Sequence, residues 1–131
     1  MTTWTLSKQT LRVVVPPEPA DGNVVVRAVR EAIEDPDFGP GLALLIDARA
    51  NESPMSPEIP MDEVRNRAAS ISRLGFRSCA LVISPVAARR GLATTFAKFA
   101  EEHGLRTSIF EDLARAEAWL AGSQVIGPEA I

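Results

Sequence analysis

The pattern in this chain that comes closest to a binding site is a serine followed by a proline and, one turn later, by two arginines. Ser84 ends an apolar segment and precedes Pro85, and Arg89 and Arg90 follow. A serine cap at a helix start leaves free backbone amides, and guanidinium groups beside them help to hold an anion. The more frequent interpretation of the same residues is a normally capped helix with two solvated arginines. A small anionic ligand is therefore one of two predictions for this segment.

A second candidate surface begins at Arg49 and continues through residues 50–60, which contain three prolines and two serines. Connections of about 2–6 residues are usual, so the extra length indicates a function. A phosphate on Ser53 or Ser56 would add about two negative charges near a helix start, where the helix dipole favours them. The more frequent interpretation is that Ser56 only caps the helix and Ser53 is a loop residue. We predict partner contacts at Arg49, Ser53 and Ser56, with Ser56 and Ser53 as candidate phosphorylation sites.

No group of residues in the sequence has the composition of a catalytic or metal site. The chain has one cysteine, Cys79, and one histidine, His103. Cys79 lies within an apolar run, where a thiol behaves as a small hydrophobic group, and neither residue has an evident orienting carboxylate. A metal site needs more ligands of this kind than the chain offers. We therefore expect no enzymatic activity, no cofactor and no bound metal.

Asp47, at the end of an apolar run, also suggests a phospho-accepting receiver domain. That machinery needs an acidic pair after the first parallel strand and a lysine after the last one. Pro16 and Pro17 occupy the first position, and Glu111 and Asp112 occupy the second. The receiver interpretation is therefore weakly supported, and it would in any case rest on fold analogy.

The composition is that of a single globular domain. The 131 residues are 46% hydrophobic and 24% charged, with a formal net charge of −3. Nucleic-acid-binding proteins carry a basic face, so we expect no nucleic-acid partner. No segment approaches the roughly 18 apolar residues of a membrane span, and the first residues have neither the basic region nor the apolar core of a signal peptide. We therefore expect no membrane span and a cytoplasmic location.

The fold is predicted to be organised around residues 42–46 (LALLI), a short apolar run between a Pro/Gly-rich loop and Asp47. Such a run is typical of a central strand that is covered on both faces. Hydrophobic periodicity predicts further strands and four helices, in the order β-β-α-β-α-β-α-β-α. The predicted helix caps are Asp21, Ser56, Ser84 and Asp112, and the spacing places His103 on the inner face of the third helix. That order indicates an α/β fold with a single mostly parallel sheet of about five strands and an antiparallel edge strand. An exposed edge strand also makes a homodimer a candidate assembly.

Several segments, in this order and spacing, resemble a known family. They are residues 35–41 (DPDFGPG) leading into 45–49 (LIDAR), then 80–84 (ALVIS), 91–93 (GLA) with Phe96, 110–112 (FED) and 117–120 (EAWL). Together they resemble the SpoIIAA-like proteins of the STAS superfamily, which includes the bacterial anti-sigma-factor antagonists. The resemblance covers residues 4–121 and predicts a STAS-like domain over residues 1–122, followed by a loose tail at 123–131.

The resemblance implies a binding or regulatory module without catalysis. In the antagonists an Asp-Ser-Ser-Gly type motif opens the helix after the central strand, and its serine is phosphorylated. Here the sequence around Ser53 and Ser56 is ESPMSP, without the glycine or the acid–serine pair. The closer likeness is to the branch described as related to lipid-binding SEC14-type domains. We therefore predict protein-partner binding through the 49–60 loop and the helix start after Ser84, and alternatively a carrier of a small apolar or lipid-like ligand.

Overall fold

The computed structural model describes residues 3–7, 9–15, 24–39, 41–49, 61–84 and 87–123 of the chain. These residues form five strands and four helices in the predicted order. The strands are β1 (Thr3–Leu6), β2 (Thr10–Val14), β3 (Ala43–Ala48), β4 (Ser78–Ile83) and β5 (Arg106–Phe110). The helices are α1 (Val24–Ile33), α2 (Met61–Ser72), α3 (Ala87–Glu102) and α4 (Leu113–Ser123).

The strands form one sheet in the order β1-β2-β3-β4-β5. β1 is antiparallel to β2, and the other neighbours are parallel, so the predicted fold class is confirmed. β3 is the middle strand, and all six of its residues are buried. The apolar run at residues 42–46 therefore has the position in the sheet that its composition predicts.

The helices are divided unequally between the two faces of the sheet. Right-handed crossovers between consecutive neighbouring strands place their helices on the same face. The larger core accordingly joins one side of the sheet to α1, α2 and α3 through residues such as Val29, Ile71 and Phe99. The smaller core joins Leu45 and Val82 to α4. Among the described elements, α4 alone packs on this second face, where it contacts β3, β4 and β5.

Glycine closes α3 at a position that requires an unusual backbone. Gly104 has a φ of 90°, which lies in the left-handed region. The amide of Gly104 donates to the carbonyl of Glu101 at 3.0 Å, and the amide of Leu105 donates to the carbonyl of Ala100 at 2.9 Å. This pair of hydrogen bonds is the Schellman motif, and it turns the chain directly into β5.

The caps predicted from sequence are described only in part. The side-chain Oδ1 of Asp112 accepts a hydrogen bond of 2.9 Å from the amide of Ala114, which confirms Asp112 as the cap of α4. Asp21 and Ser56, which we predicted to cap the first two helices, lie outside the described residues. Residues 124–131 of the predicted tail also lie outside them, and Ser123 is the last residue of α4.

Candidate functional site

Asp47 and Arg49 form the centre of a charged cluster at the carboxyl end of β3. Arg49 Nε donates to Asp47 Oδ1 at 2.9 Å, and Arg49 Nη2 donates to Oδ2 at 2.8 Å. The backbone amide of Arg49 also donates to Oδ1, at 3.2 Å. The Asp47 side chain is 7% exposed and that of Arg49 is 43% exposed. A largely buried carboxylate thus fixes a guanidinium that faces solvent.

Two residues from neighbouring elements extend this cluster across the second face of the sheet. Arg12 of β2 places Nη2 3.6 Å from Asp47 Oδ2 and Nη1 3.8 Å from Glu117 Oε2 of α4. The parallel register sets Arg12 beside Leu45, two residues before Asp47, so an arginine at this place in β2 reaches both partners. We call Arg12, Asp47, Arg49, Asp112 and Glu117 the charged edge.

The charges of this edge determine how Asp47 titrates. Burial by itself would raise the pKa of Asp47, but the side-chain and backbone hydrogen bonds from Arg49, and the charges of Arg49 and Arg12, lower its pKa below the ordinary value. The hydrogen bonds to Asp47 raise the pKa of Arg49, and the negative charges of Asp47, Asp112 and Glu117 act in the same direction. Both central groups are therefore held in their charged forms.

The residues predicted from sequence are brought together only in part. Arg49 lies at the charged edge. Ser84 is buried and directly follows the neighbouring strand β4, at the same carboxyl end of the sheet. Arg89 and Arg90 belong to the first turns of α3, but their side chains lie outside the description. Ser53 and Ser56 lie outside the described residues altogether. The roles given to these residues stay predictions.

Sequence reasoning missed Arg12 and Glu117 as members of the site. Leu11 and Val13 are fully buried on one face, so simple alternation along β2 indicates that Arg12 faces the other. The sequence does not say what lies opposite. The strand register, and the placement of α4 as the one described helix on the second face, bring the guanidinium of Arg12 close to Asp47 and Glu117.

A groove beside the charged edge occupies the space between α4 and the β1–β2 hairpin. Its volume is about 740 Å³. Arg12 and Glu117 belong to its walls, and buried Leu45 and Leu120 form its floor. Thr5, Ser7, Gln9, Thr10 and Ala121 complete the lining. The lining thus combines charged and polar side chains with a larger share of apolar surface, and Leu45 and Leu120 are almost fully buried beneath it.

Cys79 and His103 lie in different environments. Cys79 is fully buried, and burial raises the pKa of its thiol to about 12. His103 is exposed at the end of α3, contrary to our assignment of this residue to the inner face of its helix. A thiol that stays protonated and buried is a poor nucleophile. Within the described ranges, no group of three or more His, Cys, Asp or Glu side chains is arranged to hold a metal ion.

The fold and the edge together define an α/β protein with a pre-formed charged cluster at the carboxyl end of its middle strand. In the described part of the chain, no helix combines the length and the apolar character that crossing a membrane requires. Comparison with known proteins gives no match: no family model, no curated protein and no solved structure is significantly similar to the chain.

Proposed function

We propose that this protein is a non-enzymatic, STAS-like binding and regulatory module of the cytoplasm that recognises a protein partner at the charged edge. In open α/β sheets, ligands gather beyond the carboxyl ends of the parallel strands. Arg49 lies at that end of β3, and the acidic residues at the start of α4 lie near it. The proposed interface also includes the predicted 49–60 loop and the helix start after Ser84.

The observation that carries this proposal is the geometry of Arg49. An exposed arginine normally loses side-chain freedom when it binds a partner, and that loss weakens binding. Here two hydrogen bonds to Asp47 hold the guanidinium before any partner arrives. A planar guanidinium held in one orientation favours carboxylate or phosphate groups of a partner. The nearby Asp112 and Glu117 would disfavour a partner without complementary positive charge.

The state of Asp47 supports a binding role over a phospho-accepting one. Both of its carboxylate oxygens accept hydrogen bonds from Arg49. A nucleophilic carboxylate has to present an oxygen to the incoming phosphorus, and here that oxygen would first have to leave its guanidinium partner. The ion pair at Asp47 is therefore better suited to positioning Arg49 than to chemistry.

The test is a comparison of Arg49→Ala with a matched control, Arg73→Ala. Arg73 is an exposed arginine that follows α2, near the opposite end of the sheet. Tagged wild-type and variant proteins would be used to capture partners from a lysate of the cells that encode the chain, with quantitative mass spectrometry. We expect Arg49→Ala to reduce a specific partner at least tenfold, since a lost charge-assisted hydrogen bond is worth about 1.5–3 kcal/mol. Equal recovery with both variants would contradict the proposed interface.

A carrier of a small apolar or lipid-like ligand is the alternative function. The apolar floor of the groove, formed by Leu45 and Leu120, supports it. Native mass spectrometry of the purified protein would detect a co-purifying ligand of that kind.

The homodimer proposal rests on β1, which has one paired neighbour in the described sheet. Light scattering would distinguish a dimer from a monomer.

A further inference from the structure

The groove between α4 and the β1–β2 hairpin has two charged side chains of opposite sign that are only loosely paired. Arg12 Nη1 and Glu117 Oε2 are 3.8 Å apart, which exceeds the length of a hydrogen bond. The Arg12 side chain is 38% exposed and that of Glu117 is 55% exposed. Exposed ion pairs of this geometry contribute little to the free energy of folding. A ligand can therefore bind both side chains with only a small loss of that contribution.

Arg12 also has unused hydrogen-bonding capacity. Its Nε is buried and has no hydrogen-bond partner among the described residues, and its contact with Asp47 is 3.6 Å long. Asp47 instead makes its short hydrogen bonds with Arg49. A ligand carboxylate at the exposed Nη1 end of the guanidinium would give Arg12 a shorter, charge-assisted hydrogen bond than its present contacts provide.

The charge balance of the groove selects the class of ligand. A simple anion would meet Arg12 but would also lie close to the carboxylate of Glu117. A simple cation would meet Glu117 but would be repelled by Arg12. A ligand that carries both charges side by side pairs with both side chains at once. An apolar group attached to it fits the apolar part of the lining, which includes exposed Ala121 beside the nearly buried Leu45 and Leu120.

We propose that this groove binds a small zwitterion of the free α-amino-acid type with an apolar side chain. Its carboxylate pairs with Arg12, its ammonium pairs with Glu117, and its side chain lies against Ala121 and the small accessible parts of Leu45 and Leu120. Thr5 and Thr10 also line the groove. This site shares Arg12 and Glu117 with the charged edge, but it lies in the groove and can be tested without a protein partner.

The experiment is an NMR titration of the full chain with L-leucine and two analogues. The analogue 4-methylpentanoate lacks the ammonium group, and 3-methylbutylamine lacks the carboxylate. Titration to about 10 mM detects dissociation constants in the millimolar range. We expect leucine to shift the amide signals of Thr10, Arg12 and Leu120, and each analogue to bind about tenfold more weakly because it loses one charge-assisted contact.

Two variants distinguish the roles of the charged walls. Glu117→Gln should weaken leucine binding about tenfold, since leucine loses the partner of its ammonium group. Binding of 4-methylpentanoate should be unchanged or stronger, because this analogue has no ammonium group and its carboxylate no longer meets a negative charge. Glu102→Gln, an exposed position on α3 across the sheet, should leave both unchanged. The amide spectrum of each variant reports whether it remains folded.

Three results would overturn this proposal. The first is no shift at the groove with leucine. The second is equal affinity for leucine and either analogue, which would assign a simple ion site or an apolar site instead. The third is an equal effect of Glu117→Gln on leucine and 4-methylpentanoate. The titration uses a defined small molecule, so none of these results bears on the protein-partner interface.

Discussion

At the scale of single residues, the charged edge depends on how Asp47 is balanced. A carboxylate that is 7% exposed loses most of its hydration, and that loss is unfavourable unless other groups replace the water. Three hydrogen bonds from Arg49 and the positive charge of Arg12 provide the replacement. The balance favours the ionised form, since the pKa of Asp47 is lowered despite its burial.

The Asp47→Asn variant tests this balance. We expect it to lower the free energy of unfolding by about 1–3 kcal/mol at pH 7, because the amide cannot replace the ion pairs with Arg49 and Arg12. The exposure of Arg49 keeps the value below that of a fully buried pair, since water can solvate the released guanidinium. Urea denaturation measures the difference. Asp37→Asn, in an exposed turn after α1, is the control and should change stability by less than about 0.5 kcal/mol.

The same variant gives a prediction for pH dependence. A carboxyl group with a lowered folded-state pKa stabilises the fold fully above its unfolded-state value of 3.8 and loses that contribution as the pH falls through the folded-state pKa. The stability difference between wild type and Asp47→Asn should therefore be constant near neutral pH and shrink below about pH 4. A difference that stays the same from pH 7 to pH 3 would contradict an electrostatic role for Asp47.

Some residues of the charged edge could be predicted from the sequence, and others could not. Arg49 was predicted because the chain segment that contains it follows a recognisable buried strand. Arg12 and Glu117 are 105 positions apart by their residue numbers, and local pattern carries no information on such a pair. Long-range side-chain contacts of this kind follow from strand register and helix placement, which only the folded structure provides.

At the scale of elements, hydrophobic periodicity was sufficient to predict, in order, the five strands and four helices that the described residues form. It worked because β3 and β4 are buried on both faces and appear in the sequence as continuous apolar runs. It was less accurate at the last turn of α3. There, His103 follows the helical spacing of the buried residues, but the chain already turns at Gly104 and leaves the imidazole exposed.

The turn at Gly104 gives a prediction at this scale. Its φ is 90°, and a Cβ placed there would meet nothing within 4 Å, so the cost of Gly104→Ala comes from the backbone alone. We expect a loss of about 1–2 kcal/mol in the free energy of unfolding. Gly122→Ala is the matched control. Gly122 is also free of neighbours within 4 Å but lies in α4, so alanine there should be neutral or stabilise by up to about 1 kcal/mol. Equal effects at the two positions would contradict this account.

At the scale of the whole molecule, the consecutive strand order explains where sites can form. Crossovers of one hand place α1, α2 and α3 on one face, so that face is filled by the larger core. The second face carries α4 alone among the described elements, which leaves the groove beside β1 and β2. The sequence predicted helices on both faces of the sheet, but not this unequal division. Periodicity shows which side of a helix is buried, but it does not show on which face of the sheet that helix packs.

The central claim, that a protein partner is recognised at the charged edge, is tested most directly by site-specific photo-crosslinking. Arg115, in the first turn of α4, has a side chain that is 82% exposed and lies next to Asp112. Replacing it with p-benzoylphenylalanine places a crosslinker beside the edge, and the same replacement at Arg73 places one far from it. We predict that irradiation in cells joins a discrete partner from position 115, that Arg49→Ala abolishes this product, and that position 73 gives none. The same product from both positions, or one that persists with Arg49→Ala, would contradict the account.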